Sequence, residues 1–269
     1  MKNVFYHLIN FINTYPEDDI YGNAARIILL NIKKIPALTI IDVAELCFVS
    51  TATISRLARK LNYESFLDFK ADIVLCVGYI EKNGDESYAG NSLPVDCIQD
   101  FKKVDFKNHF DHIIDDLETT FDIIDFELLE HIVDKIHTSN TVALCGNFFC
   151  QTASMQLQIE LSYNQKQCSG YYDYENQLKS IDSLTDEDVL IVSSITGNFI
   201  RNNHDFLRKI MNCPAYKIYL SQDRSYSNMN LFDCVVQLGK KQGSLLGKFS
   251  TIYAFELLEA LYHIKYVHD

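Results

Sequence analysis

The stretch IIDVAELCFVSTATISRLARKL, residues 40–61, decides how the first part of the chain is read. Ile41, Val43, Ala44 and Cys47 suit the buried side of one helix, and the small Ala44 lets a second helix cross it closely at a steep angle. Val49 plugs the turn between them. Ser50 has the chemistry of a helix N-cap, and Ile54, Leu57, Ala58 and Leu61 then fall at i, i+3, i+4 and i+7 on one face. The spacing predicts a helix-turn-helix over 40–60. Phe48 stands at the turn position where glycine commonly supplies a positive φ, so a distorted or widened turn is expected.

The other side of the second helix carries Thr51, Thr53, Ser55, Arg56, Arg59 and Lys60, with Ser50 at its start and no acid between Ser50 and Lys60. Such a face suits double-stranded DNA. Hydroxyls at the helix start reach base edges or phosphates, Arg56 matches a guanine edge or a phosphate, and Arg59 and Lys60 suit the backbone. An amphipathic helix pair with a merely solvated polar face has the same outline. The small residue, plug, cap and apolar ridge arriving in register favour the DNA reading.

Outward from this stretch, apolar residues from Val4 to about Cys76 recur at three- and four-residue steps, as in Val4, Leu8, Phe11 and Ile12, then Ala24, Ile27, Ile28 and Leu30. That period predicts a small all-helical domain over 1–80. Gly, Asn, Ser, Asp and Pro cluster densely in EKNGDESYAGNSLPVD (81–96), which reads as a linker, placed at 81–103. Two helical patterns follow, at 104–121 and 125–138. Then the short apolar runs TVALCG, DVLIVSS, AYKIYLS and DCVVQLG, starting at 141, 188, 215 and 233, alternate with helix-length segments at 150–163, 199–211 and 248–266. This rhythm predicts a doubly wound α/β sandwich with a mainly parallel sheet over 104–269, so the fold class is α + α/β.

Composition is consistent with two folded domains: 269 residues, 48% hydrophobic and 22% charged, with only 10 Gly and 4 Pro. The net charge is −12, yet residues 1–80 carry eight bases and eight acids. The acidity therefore lies beyond them, which leaves DNA contact to the first domain. No apolar run reaches the ~18 residues of a membrane span and no signal-cleavage pattern follows the start, so a cytoplasmic protein without a membrane partner is expected. The eight cysteines (47, 76, 97, 145, 150, 168, 213 and 234) form no CxxC pair. Reduced core thiols are expected, with no metal and no cofactor.

The segment VAELCFVSTATISRLARKLNYESFLDFK (43–70), with its S-x-A-T-I-S-R and K-L-x-x-x-S-F-x-x-F-K runs, resembles the RpiR family of bacterial transcriptional regulators. These join an N-terminal helix-turn-helix to a C-terminal sugar isomerase (SIS) domain, and the resemblance spans nearly the whole chain. It implies a sequence-specific regulator of sugar metabolism genes, a palindromic operator, a homodimer or homotetramer, and a phosphosugar effector. The family's G-x-G-x-S turn corresponds to GNFFC (146–150), which implies ligand positions at Gly146, Asn147 and Cys150. Its second glycine and its serine are replaced. The S-x-S-G-x-T turn appears as SITGNF (194–199), implying Ser194, Thr196, Gly197 and Asn198; Phe199 replaces the final Thr, and the first basic residue is Arg201. Lys248 and Ser250, at the start of the last helix, and Gln242 in GKKQGSLLGK just before it, are expected to add polar contacts from the other side. One alternative is an SIS domain that has lost its ligand and only dimerises. Another is a sugar phosphate isomerase, for which His204, Glu256 and Glu259 are the acid and base candidates. The damaged cradle and the surface patterning of those three residues argue for no enzyme.

Overall fold

In a computed structural model, residues 4–16, 18–88, 103–146, 148–201, 203–240 and 247–267 are described. The chain divides into two compact units, Met1–Gly84 and Asp85–Asp269.

The first unit is helical: α1 (Val4–Thr14), α2 (Ile20–Leu30), a 3₁₀ turn (Ile35–Ala37), α3 (Ile40–Leu46), α4 (Thr51–Lys60) and α5 (Phe66–Tyr88). Its core is the predicted periodic set. Val4, Leu8 and Phe11 of α1 meet Ala24, Ala25 and Ile28 of α2, Val43 and Ala44 of α3, and Ile54, Leu57 and Ala58 of α4. Ile41 departs from expectation, being 59% exposed. Two residues before Val43, it is rotated about 200° around the helix from the buried side. The guanidinium of Arg26 donates to the carbonyls of Ile12 and Tyr15, both at 2.8 Å, and so closes the C-terminus of α1 onto α2. Helix α5 continues through 81–88, inside the stretch whose composition reads as a linker. A lone glycine such as Gly84 costs a helix only about 1 kcal/mol, too little to stop it.

The turn 47–50 is regular. Thr39 and Asp42 form a capping box at the start of α3, the Thr39 hydroxyl accepting from the Asp42 N–H and the Thr39 N–H donating to the carboxylate. At its end the Val49 N–H donates to the Ala44 carbonyl and the Phe48 N–H to that of Glu45. This is the Schellman pattern. It requires Phe48 to take φ 56°, so the expected distortion does not occur. The left-handed backbone is kept, and the 91% exposed ring projects clear of it.

The second unit opens with α6 (Lys103–Ile123) and α7 (Phe126–Thr138). β1 (Thr141–Gly146), α8 (Phe148–Tyr163), β2 (Gln167–Ser169), α9 (Tyr174–Asp182) and β3 (Val189–Ser193) follow. The chain continues through α10 (Asn198–Arg201), α11 (His204–Asn212), β4 (Tyr216–Ser221), α12 (Tyr226–Met229), β5 (Cys234–Gln237) and α13 (Gly247–Tyr266). The five strands pair in parallel in the order β2-β1-β3-β4-β5.

Successive strand residues serve opposite faces. Val142, Leu144, Val189, Ile191, Ile218 and Leu220 pack with α7, α8 and α13, whereas Ala143, Cys145, Leu190, Val192 and Tyr219 pack with α9, α10 and α11. Both faces are covered, hence the uninterrupted apolar runs in the sequence. The edge strand β2 spans three residues, too few to show a period. Where one helix is expected over 199–211, two separate helices, α10 and α11, are found.

Candidate functional site

In a doubly wound sheet the chain leaves in opposite directions on either side of one strand pair, and the crevice outside the carboxyl ends of that pair is where ligands sit. Here the pair is β1 and β3, with Gly146 and Ser193 in register at their ends. The turn 194–198 follows β3, α8 starts just beyond β1, and the first turn of α13 meets the same place. A Cβ on Gly247 would lie 2.3 Å from the Ile195 Cγ2 and 2.8 Å from the Gln222 Oε1. The fold therefore gathers Gly146, Cys150, Ser194, Thr196, Gly197, Asn198 and Lys248 at one edge of the sheet. Asn147 and Gln242 lie outside the described residues.

Several of these groups are already engaged. The backbone of Gly146 is clasped by the side chain of Gln177 on α9, its N–H donating to the Oε1 at 3.2 Å and its carbonyl accepting from the Nε2 at 2.8 Å. Cys150 is buried against Ser193 and the backbone of Ile195, and burial raises its thiol above the ordinary value. Ser194 is buried, its N–H donating to the Leu220 carbonyl at 3.1 Å. Thr196 and Asn198 are half-buried at the mouth. Lys248 stands over the Phe149 ring, 5.8 Å from its centroid.

The geometry adds residues that no motif marks. Arg201, in the last turn of α10, folds back on the turn: its Nη2 donates to the Thr196 carbonyl at 2.5 Å and to the Asn198 Oδ1 at 2.9 Å, and its Nη1 to the Asp223 Oδ2 at 2.8 Å. Asp223 follows β4, with a side chain that is 0% exposed. Burial by itself would raise its carboxyl, but hydrogen bonds from Ser225 and Asn228 and the Arg201 charge outweigh that and hold it below the ordinary aspartate value. Gly197 has φ 74°, and a Cβ there would fall 2.0 Å from the Asp223 Oδ2, so only glycine fits.

Behind this lies Asp116 of α6, fully buried, which accepts from the Gln222 Nε2 at 3.1 and 3.2 Å, from the Lys240 N–H at 3.1 Å and from the Ser250 hydroxyl. It ties α6 to the loops after β4 and β5 and to α13. Ser250, expected as a ligand contact, is thus occupied inside the protein. Only pairing in three dimensions reveals these groups, since Asp116 and Ser250 are far apart in sequence.

The acid and base candidates for an isomerase do not converge on the turn. His204 is exposed at the start of α11. Glu256 and Glu259 lie about 13 and 18 Å along α13 from Gly247, at about 1.5 Å per residue. Glu259 instead faces Glu160 and Glu256; burial first, then those two charges, push its carboxyl up to about 7.

In the first unit, Thr51, Arg56, Arg59 and Lys60 lie on the exposed side of α4, with Thr53 and Ser55 at its flanks. The Ser50 hydroxyl accepts from the Thr53 N–H at 3.1 Å and pairs with the Thr53 hydroxyl at 2.9 Å, as a cap does. Arg56 and Arg59 have no ion pair among the described residues. The Lys60 ammonium lies 5.0 Å from the Tyr21 ring centroid and 5.9 Å from that of Tyr15, turned back toward α1 and α2.

No family model and no curated protein sequence matches the chain. Solved structures do. The Vibrio vulnificus NanR protein complexed with ManNAc-6P is 17% identical, with 97% of this chain and 92% of that one covered, at a TM-score of 0.53. The sugar isomerase domain of an RpiR transcription factor from Sphaerobacter thermophilus is 18% identical, covering 59% of this chain and 89% of its own, at 0.51. A phosphoheptose isomerase from Francisella tularensis, 12% identical, matches 61% of this chain over its full length (100%) at 0.50. The second unit has the SIS fold. Identities this low speak to fold alone, and the fold serves regulators and isomerases alike. Among the described residues, no helix is long and apolar enough to cross a membrane.

Proposed function

We propose that the protein is a transcriptional regulator of the RpiR type: the α3–α4 pair is a helix-turn-helix that binds a palindromic operator, and the SIS unit senses a phosphosugar and holds two or more copies together. The observation that carries this reading is the α4 face, where Arg56 and Arg59 stand exposed on a rigid, fully capped helix pair, in a chain that aligns over 97% of its length with a protein solved with a sugar phosphate. A nearly neutral first unit with one basic face, joined to an acidic second unit, fits a protein that meets DNA with the former only.

The isomerase alternative's own acid and base candidates, His204, Glu256 and Glu259, do not converge on the turn. The ligand-free alternative has the occupied cradle groups in its favour.

Selection of operator sequences followed by footprinting tests the proposal. Two half-sites about one helical turn apart, or a multiple of it, are expected. Arg56→Ala is expected to weaken operator binding by about 1–3 kcal/mol at fixed salt if the side chain reads a base edge. Unchanged affinity removes Arg56 from the contact set, and a chain that selects no sequence at all sinks the reading.

A further inference from the structure

We propose that the outer face of α8 and α13 is the surface on which two copies of this chain pair, across a two-fold axis that sets each of these helices against its own counterpart; this deepens the reading above, in which the second unit holds the copies together.

The two helix layers of the second unit meet solvent differently. On α9, α10 and α11 one large apolar residue is exposed among the described residues, Met211. On the other layer, α8 exposes Met155, Ile159 and Tyr163, and α13 exposes Phe249, Ile252 and Ile264. Lys248 stands over the Phe149 ring near one end of the pair, and the Glu160 carboxylate lies 3.2 Å from the His263 ring near the other. The two helices therefore lie side by side and run the same way, and the six residues form one patch. Tyr163 is 83% and Ile264 74% exposed. At about 200 Å² for an aromatic residue and somewhat less for an aliphatic one, the patch leaves about 600 Å² of apolar surface in water, the top of the range for the largest patch of a monomer. With Glu256, Ala260 and His263 between, it approaches the ~800 Å² that each partner gives to a standard interface.

The spacing fits a second copy. A two-fold axis gives both partners the same patch, so the patch must be complementary to itself. Along α13 the outward residues Ile252, Glu256, Ala260 and Ile264 recur at every fourth position, on one ridge. Turned head to tail about Leu258, this ridge sets Ile252 opposite Ile264 of the second copy and Glu256 opposite Ala260 of the second copy. Apolar meets apolar, and the acid meets a methyl group, with the His263 ring less than a turn along as a hydrogen-bond donor. Glu256 is not set face to face with its own copy. On α8 the ridge Met155, Ile159 and Tyr163 is symmetric about Ile159 in the same sense. Since Glu160 reaches His263, the two midpoints lie within about one turn of each other, and one axis serves both helices.

Sedimentation of the full-length protein at micromolar concentration tests this. Wild type is expected to form a dimer or tetramer. Ile264→Glu and Tyr163→Glu, at exposed positions, are each expected to raise the dissociation constant at least tenfold with helix content unchanged, because the two-fold axis counts each change twice. Ile159→Cys, beside the axis, is expected to give a covalent dimer with a short bismaleimide well above the wild-type background from native thiols, and Met211→Cys on the opposite layer is not. Undiminished association in both Glu variants, or no cross-link above background at Ile159→Cys, overturns the assignment and leaves the regulator reading standing. Should the Glu variants lose helix content, the cross-link decides alone. A monomeric wild type overturns the assignment in favour of a foreign partner on this face, and with it the joining of copies by the second unit; operator selection judges DNA binding separately.

Discussion

Three helices end on a residue in the left-handed region that is not glycine: Phe48 after α3, Asn62 after α4 and Gln165 after α8, at φ 56°, 64° and 61°. All three carry the paired hydrogen bonds of the Schellman cap. A side chain there costs about 1–2 kcal/mol against the backbone, least for Asn. Phe48 is the clearest instance, because its ring is almost wholly exposed and packing returns little. Phe48→Gly is accordingly expected to raise stability by about 1 kcal/mol in a denaturant or thermal melt; a neutral or destabilising result would mean that the ring has a partner in solution. The Ser50 cap was legible from residue type and position. The backbone at Phe48 was not, because the expectation weighed the side-chain cost alone, whereas the two cap hydrogen bonds decide. Arg201 and Asp223 were not legible either, since nothing in a sequence joins positions 22 apart across two loops.

At the scale of elements, the central strands were readable because each is buried on two faces and so reads as an apolar run, and the long helices because their period is sustained. The edge strand β2 and helix α9 fell below that threshold: β2 has three residues, and α9 buries only Gln177 and Ile181. The packing of α8 on α13 carries a cost that the pattern hides. It brings Glu160 of α8 beside Glu256 and Glu259 of α13, with the His263 ring 3.2 Å from Glu160. A carboxyl raised in the fold from 4.5 to about 7 favours the folded state fully only while protonated; stability is lost as pH rises from about 4.5 through about 7. Glu259→Gln is therefore expected to raise the melting temperature at pH 8 and to leave it unchanged at pH 4. An equal gain at both values would rule out the carboxyl's ionisation as the cause.

For the whole molecule, the uneven charge limits how the proposed regulator would hold DNA. Each copy offers Arg56 and Arg59 as cations without an ion pair among the described residues, while Lys60 is drawn onto Tyr21 and Tyr15. Two copies then make about four such phosphate contacts, and log K against log salt should fall with a slope of about −4. Arg59→Ala should make that slope shallower by about 2 for the pair, read by titration over a salt series; a much steeper wild-type slope would place further bases of the chain on the DNA. The strand order bears on time as well as on space. The central pair joins β1 to β3 across α8, β2 and α9, so the middle of the sheet cannot close until β3 (Val189–Ser193) has been made. The first unit ends at Gly84 and so emerges whole before the strands. On the general relation between contact distance and folding rate, the first unit is expected to be folded while the sheet is still being synthesised.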